Sequence, residues 1–167
     1  MKDFFKNTIL NSHATIVEIP RGFGFEFALK KLKFLKDIQI IEFRPTIHGA
    51  QKTEIINVDD IELLQQRANV KSMKKRCFVL VNAEKINESA QNKFLKLFEE
   101  PNVNTSFVLL TENKNAFEKT ILSRAQILRI SPISEIDSIK MLQKSKLNED
   151  DKKKILFIAN GLPGEID

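Results

Sequence analysis

Five apolar runs of strand length, Ala14 to Ile19, Ile38 to Phe43, Cys77 to Val81, Phe107 to Leu110 and Ile127 to Ile130, alternate with segments of helical spacing. No other feature constrains the fold as much. The runs are continuously apolar rather than apolar at every second residue, as in strands covered by helices on both faces. Alternation of this kind predicts an α/β architecture with a parallel five-stranded sheet flanked by helices.

The helices are placed by their caps and apolar faces. Ala90, Phe94, Leu97 and Phe98 share one face of a helix that Asn87 can cap, with Glu88 suiting its N-terminal dipole and Pro101 beyond its end. Asn57 and the pair Asp59-Asp60 introduce a second helix with Ile61, Leu64 and Ala68 on its apolar face. Lys30 to Lys36 belongs to a third, after the first strand. From Ser131-Pro132 onward the pattern is wholly helical, around Ile136, Ile139 and Leu142 and then Ile155 and Ile158, up to Asn160-Gly161 with Pro163 beyond. A core over 1–130 and a small helical lid over 131–167 are therefore expected, and the chain stops where a further helix could start, so the lid is expected to be incomplete.

A length of 167 residues suits one well-buried domain with a short appendage. No apolar run approaches the ~20 residues that cross a bilayer, and Met1 to Lys6 has no long apolar export signal, so a cytoplasmic protein is expected. The single cysteine, Cys77, falls in a predicted strand and is expected to be a small buried hydrophobe. A net charge of +5 and a pI of 9.3 permit an anionic partner without requiring one. The clusters Lys30 to Lys36, Lys71 to Arg76 and Lys152 to Lys154 read as solvated faces.

Independent catalysis finds little support in the residue pattern. His13 and His48 lack Cys or carboxylate neighbours at ligand spacing, so no metal is expected. Ser106, Thr111 and Ser123 have no evident His-Asp partners. Glu99 and Glu100 project about 100 degrees apart on a helix, which suits helix-end or interface acids rather than a shared reaction centre.

Several longer words are more specific. They are the run Asn87-Glu-Ser-Ala-Gln-Asn-Lys-Phe-Leu-Lys-Leu-Phe-Glu-Glu-Pro101, then Phe107-Val-Leu-Leu-Thr111-Glu112-Asn113, then Thr120-Ile-Leu-Ser123-Arg124, preceded by Arg44-Pro45 and Val58-Asp-Asp-Ile61. In this order they resemble the clamp-loader branch of the AAA+ ATPases, well from Arg44 to about Ile130 and loosely into the lid. The resemblance implies a RecA-like core, a sensor-1 strand carrying Thr111 and Asn113, and a Ser-Arg pair at Ser123 and Arg124. The collar domain that normally holds such rings together has no counterpart in the sequence, and neither has a four-cysteine zinc module, since the link from Arg44 to Asn57 has no cysteine. Ala125 stands where the family usually has Cys.

Set against that family, the nucleotide-binding words are altered. A P-loop reads Gly-x-x-x-x-Gly-Lys-Ser/Thr, so that backbone N–H groups wrap phosphate, Lys reaches it and a hydroxyl holds magnesium. The equivalent turn here keeps Gly22 and Gly24, but Ile19 replaces the first Gly, Phe25 the Lys and Glu26 the hydroxyl residue. The turn is expected to repel ATP and to be filled by apolar packing. At the Walker B position, Asn82 and Ala83 replace the Asp-Glu pair; an amide oxygen is a weak magnesium ligand and a methyl group accepts no proton. Gly161-Leu-Pro-Gly164-Glu165 occupies the sensor-2 region without an Arg.

Arg124 nevertheless remains. In the family the equivalent Arg points into the neighbouring subunit's ATP site, where a planar, permanently charged fork suits the spreading charge of a transferring phosphoryl group. The resemblance thus implies a subunit without catalysis or cofactor of its own. It would support ATP-driven loading of a sliding clamp onto primed DNA during replication, within a hetero-oligomeric ring of ATP-binding clamp-loader subunits and a delta subunit of DNA polymerase III. Two alternatives stand beside it: an independent ATPase with unusual ligands, which predicts magnesium-dependent hydrolysis by the chain alone, and a basic DNA-binding module, which predicts tight, salt-sensitive binding.

Overall fold

A computed structural model describes residues 12–33, 38–50, 52–99, 102–143 and 147–165. Five strands, β1 (Ala14–Glu18), β2 (Ile38–Phe43), β3 (Lys75–Val81), β4 (Thr105–Thr111) and β5 (Gln126–Arg129), form one parallel sheet in the order β2-β3-β4-β1-β5. The expected α/β fold and strand number are met. Among the described residues six helices accompany them: α1 (Phe25–Lys33), α2 (Val58–Asn69), α3 (Glu88–Glu99), the single turn α4 (Lys119–Leu122), α5 (Glu135–Leu142) and α6 (Glu149–Ala159).

Because side chains alternate across a strand, the central strands feed two cores. On one face Ile16, Phe78, Leu80, Phe107 and Leu109 pack with Ile61 and Leu64 of α2, Phe94 and Phe98 of α3 and Ile121 of α4. Phe107 stacks on Phe78 at 5.8 Å and meets Phe94 edge-to-face at 5.5 Å, so aromatic geometry fixes how α3 sits on the sheet. On the other face Val17, Val79, Val81, Val108 and Leu110 pack with Ala28, Leu29 and Leu32 of α1. Cys77 lies in this second core, fully buried, and loss of hydration pushes its thiol up to about 12.

The capping residues act as the sequence implies. Asn57 and Asp60 form a reciprocal capping box at α2, and the Asn87 side chain accepts the Ala90 N–H at 2.8 Å at the start of α3. α1 starts at Phe25, where the positive φ of Gly24 ends the preceding turn, and holds Lys30 to Lys33 as expected; Phe34 to Lys36 lie outside the described residues, as do Glu100 and Pro101. Two expectations change. β5 is not covered on both faces, since it is an edge strand with Ile127 41% exposed. Arg76 is buried rather than solvated: its guanidinium donates to the carbonyls of Arg67 and Ala68 at 3.0 Å, satisfying the open C-terminus of α2.

After β5 the chain turns through Ser131-Pro132 into α5 and α6, which Ser134 and Asn148 cap by accepting the N–H groups of Asp137 and Asp151. Asn160 and Gly161, both at positive φ, end α6 and reverse the chain, and Ile133 N–H donates to the Gly161 carbonyl at 2.8 Å. No helix among the described residues is long and apolar enough to cross a membrane.

Candidate functional site

Open parallel sheets place ligands beyond the C-terminal ends of their strands, where the connections diverge. Here the turn after β1 occupies that position. Gly22 and Gly24 have φ of 79° and 83°, angles that favour glycine, and Phe23 N–H donates to the Pro20 carbonyl at 3.0 Å. Ile19 and Phe23 are buried beneath the turn, with Phe23 edge-to-face on Phe27 at 5.5 Å. Phe23 supplies the apolar packing beneath the turn, whereas Phe25 is only half-buried and stands on the wall of a cavity of about 370 Å³.

The far side of the turn is covered by backbone. Gly164, in a 3-10 turn spanning Pro163–Glu165, donates its N–H to the Phe23 carbonyl at 3.1 Å. A Cβ at Gly164 would lie 2.7 Å from the Gly22 carbonyl oxygen and 2.9 Å from Gly24 Cα. The turn therefore presents carbonyl oxygens to another backbone, whereas a phosphate cradle needs N–H groups facing an open space.

Charge in the cavity is already balanced. Glu26, on its wall, is solvent-exposed and 2.6 Å from the Arg44 guanidinium, which also meets Glu42 at 3.0 Å. A hydrogen bond from Lys33, with Arg44 adding to it, holds the Glu42 carboxyl below the usual carboxylate range. Asn82 lines the cavity in a left-handed conformation, φ 52°, and its buried Oδ1 has no hydrogen-bond partner among the described residues. Ala83 is fully buried in the core beneath α3.

Thr111 and Asn113 are committed to local bonds at the same sheet edge. The Thr111 hydroxyl donates to Glu84 Oε2 at 2.7 Å and accepts the Asn113 N–H at 3.0 Å, while Asn113 Oδ1 accepts the Asn115 N–H at 3.1 Å. Nearby, Glu112 is shifted upward by burial and by repulsion from Glu84, with Arg21 opposing.

Ser123 and Arg124 lie at the other edge. β1 and β5 run parallel with Thr15 opposite Gln126 and Glu18 opposite Arg129, so Arg124 precedes the N-terminal end of β5 while the Gly22–Gly24 turn follows the C-terminal end of β1. At least ~10 Å of strand separates them. The Ser123 hydroxyl donates to the Thr120 carbonyl at 3.0 Å, and the Arg124 side chain is 41% exposed. Arg124 Nη1 donates to the Thr120 carbonyl at 3.2 Å and Nη2 pairs with Glu99 Oε1 at 3.1 Å.

The structure thus gathers Gly24, Phe25, Glu26 and Asn82 around one cavity, with Ile19 and Gly22 in the turn beside it, and holds Ser123 and Arg124 apart. Sequence reasoning missed Gly164, although two glycines within Gly161-Leu-Pro-Gly164 signal close backbone approach. It also missed two carboxylates distant in sequence: Glu99 beside Arg124, and Asp60, whose Oδ2 lies 2.9 Å from His48 Nε2. Even with that pair, no cluster of three or more metal-ligating side chains occurs among the described residues.

Known proteins share the fold. A curated relative, DNA polymerase III subunit delta' of Bacillus subtilis (strain 168), is 32% identical over 92 residues, covering 53% of this chain and 28% of the relative. Among solved structures, a DNA polymerase III gamma subunit-related protein from Thermotoga maritima superposes with a TM-score of 0.69 at 19% identity, over 98% of this chain and 57% of that one. The Thermotoga maritima RuvB Holliday junction branch migration motor gives 0.62 at 10% identity, over 99% and 57%. The chain therefore spans little more than half the length of these structures, which share its α/β fold. The sequence model of the family described as "DNA polymerase III, delta subunit" matches residues 30–134, more than half of the chain, and so the chain belongs to that family, with its curated similarity on the delta-prime side.

Proposed function

We propose that this chain is a delta-prime-type clamp-loader subunit that hydrolyses no ATP itself and serves an ATP-binding neighbour by lending it Arg124. Residues 1–130 act as a core with a disused nucleotide turn, and 131–167 as a lid. Its partners are ATP-binding clamp-loader subunits and a delta subunit, in a cytoplasmic hetero-oligomeric ring that places a sliding clamp on primed DNA.

One observation carries this reading: the guanidinium is half-exposed on the sheet edge opposite the chain's own turn. From there it has no reach to that turn and is free to meet a second molecule. Supporting it, the turn is covered by Gly164, the one guanidinium among the described cavity-lining residues is paired with two carboxylates, and Asn82 and Ala83 supply neither a charged metal ligand nor a base. The same features weigh against an independent ATPase.

The test is reconstitution with ATP-binding partner subunits. Arg124→Ala should leave assembly intact by size-exclusion chromatography while ATP turnover drops, on the order of 10³-fold for an arginine supplied in trans. Unchanged turnover in an intact complex refutes the finger role.

A further inference from the structure

We propose that Glu99 is a positioning residue for Arg124, holding the guanidinium in the orientation in which a neighbour's phosphate meets it. The inference rests on the finger role just proposed and assigns a function to an acid otherwise attributable to a helix end.

An arginine side chain on a surface turn samples many rotamers, and a charge donor that must be ordered at the moment of reaction loses effectiveness. Among the described residues Arg124 has two anchors. The Thr120 carbonyl, at 3.2 Å from Nη1, belongs to its own helical turn, α4, and moves with it. Glu99 Oε1, at 3.1 Å from Nη2, comes from the last residue of α3, whose Phe94, Leu97 and Phe98 are buried against the sheet. Among the described residues, only Glu99 ties the guanidinium to an element other than that turn. These interactions engage Nη1 and Nη2 once each; Nε has no hydrogen bond or ion pair among the described residues, and the side chain remains 41% exposed, so N–H groups are left for an incoming anion.

Exposure also separates positioning from stability. Both partners of the pair are about half-exposed, and solvent-screened pairs of this kind contribute little to folding. Removing Glu99 should therefore spare the fold and affect only what Arg124 does for a partner.

The experiment compares Glu99→Ala, Glu99→Gln and Arg124→Ala in the reconstituted complex, with melting temperature measured on each chain. Glu99→Ala should melt like the parent yet lower kcat about tenfold with KM for ATP unchanged, because an ill-placed donor costs rate rather than binding. Glu99→Gln, which keeps an acceptor oxygen at the same reach, should recover most of that loss. If Arg124→Ala is impaired while Glu99→Ala turns over at or above the parent rate, the positioning role is overturned and the finger stands. If Glu99→Gln is as impaired as Glu99→Ala, positioning by the acceptor oxygen is likewise overturned. Full activity of Arg124→Ala overturns the finger role itself.

Discussion

The two edges of the sheet have opposite fates. At the C-terminal edge the turn after β1 keeps its glycine angles but is packed from below by Phe23 and covered from above by Gly164. At the N-terminal edge Arg124 stays half-exposed, with its guanidinium anchored to Thr120 and Glu99. Under the proposed function, a frame loses a ligand site at one edge and keeps a presented charge at the other, because separate elements build the two. The glycines answer to backbone geometry, which needs no phosphate; the arginine stands on the surface.

Four perturbations sharpen or break this contrast. The largest effect is expected at the open edge: Arg124→Lys keeps the charge but loses the planar fork, and turnover of the assembled complex should fall about 10²-fold, roughly 2.7 kcal/mol of transition-state stabilisation. A lysine complex as active as the parent would mean that charge alone suffices. At the closed edge, Gly164→Val drives a side chain into the Gly22 carbonyl and should cost about 1–3 kcal/mol, read as a lower urea midpoint. An unchanged midpoint would mean that the turn and the Pro163–Glu165 segment are not locked together.

Introducing P-loop residues tests the cover directly. Phe25→Lys with Glu26→Thr supplies a cation and a hydroxyl but leaves Gly164 in place, so ATP affinity measured by calorimetry should improve by less than tenfold, about 1.4 kcal/mol. A larger gain would show that the side chains at these two positions, rather than the Gly164 cover, limit ATP binding at the turn.

The smallest effect concerns Glu112. Its folded pKa lies above the unfolded value, so folding favours the protonated form; that advantage is fully present below the unfolded pKa and is lost as pH rises through the folded one. Glu112→Gln should therefore stabilise by under about 1 kcal/mol at pH 7, with the gain vanishing near pH 3.5, in paired melting curves. A gain that persists at acid pH would place the effect outside the carboxyl group.

Much of this contrast is legible in the chain itself, for identifiable reasons. Strands β1, β3 and β4 are plain because burial on both faces demands continuous apolar runs, and α2 and α3 are plain because Asn57 and Asn87 cap them through bonds local in sequence. Gly22, Gly24 and Arg124 are legible as words within longer words. What escapes is long-range. The Gly164 contact joins residues some 140 positions apart, the Glu99–Arg124 pair spans two helices, and Arg76 is buried by the carbonyls of a helix end rather than by any pattern around it. β5 misleads for a related reason: an apolar run says that a strand forms, not whether it lies at an edge.

The most direct measurement of the central division of labour is ATP hydrolysis at saturating nucleotide, where affinity differences cancel. The isolated chain, the complex built with it and the complex built with Arg124→Ala are compared side by side. The account predicts no hydrolysis by the isolated chain, turnover by the parent complex, and a loss on the order of 10³-fold in the variant complex. Hydrolysis by the isolated chain, or equal rates from the two complexes, would contradict it.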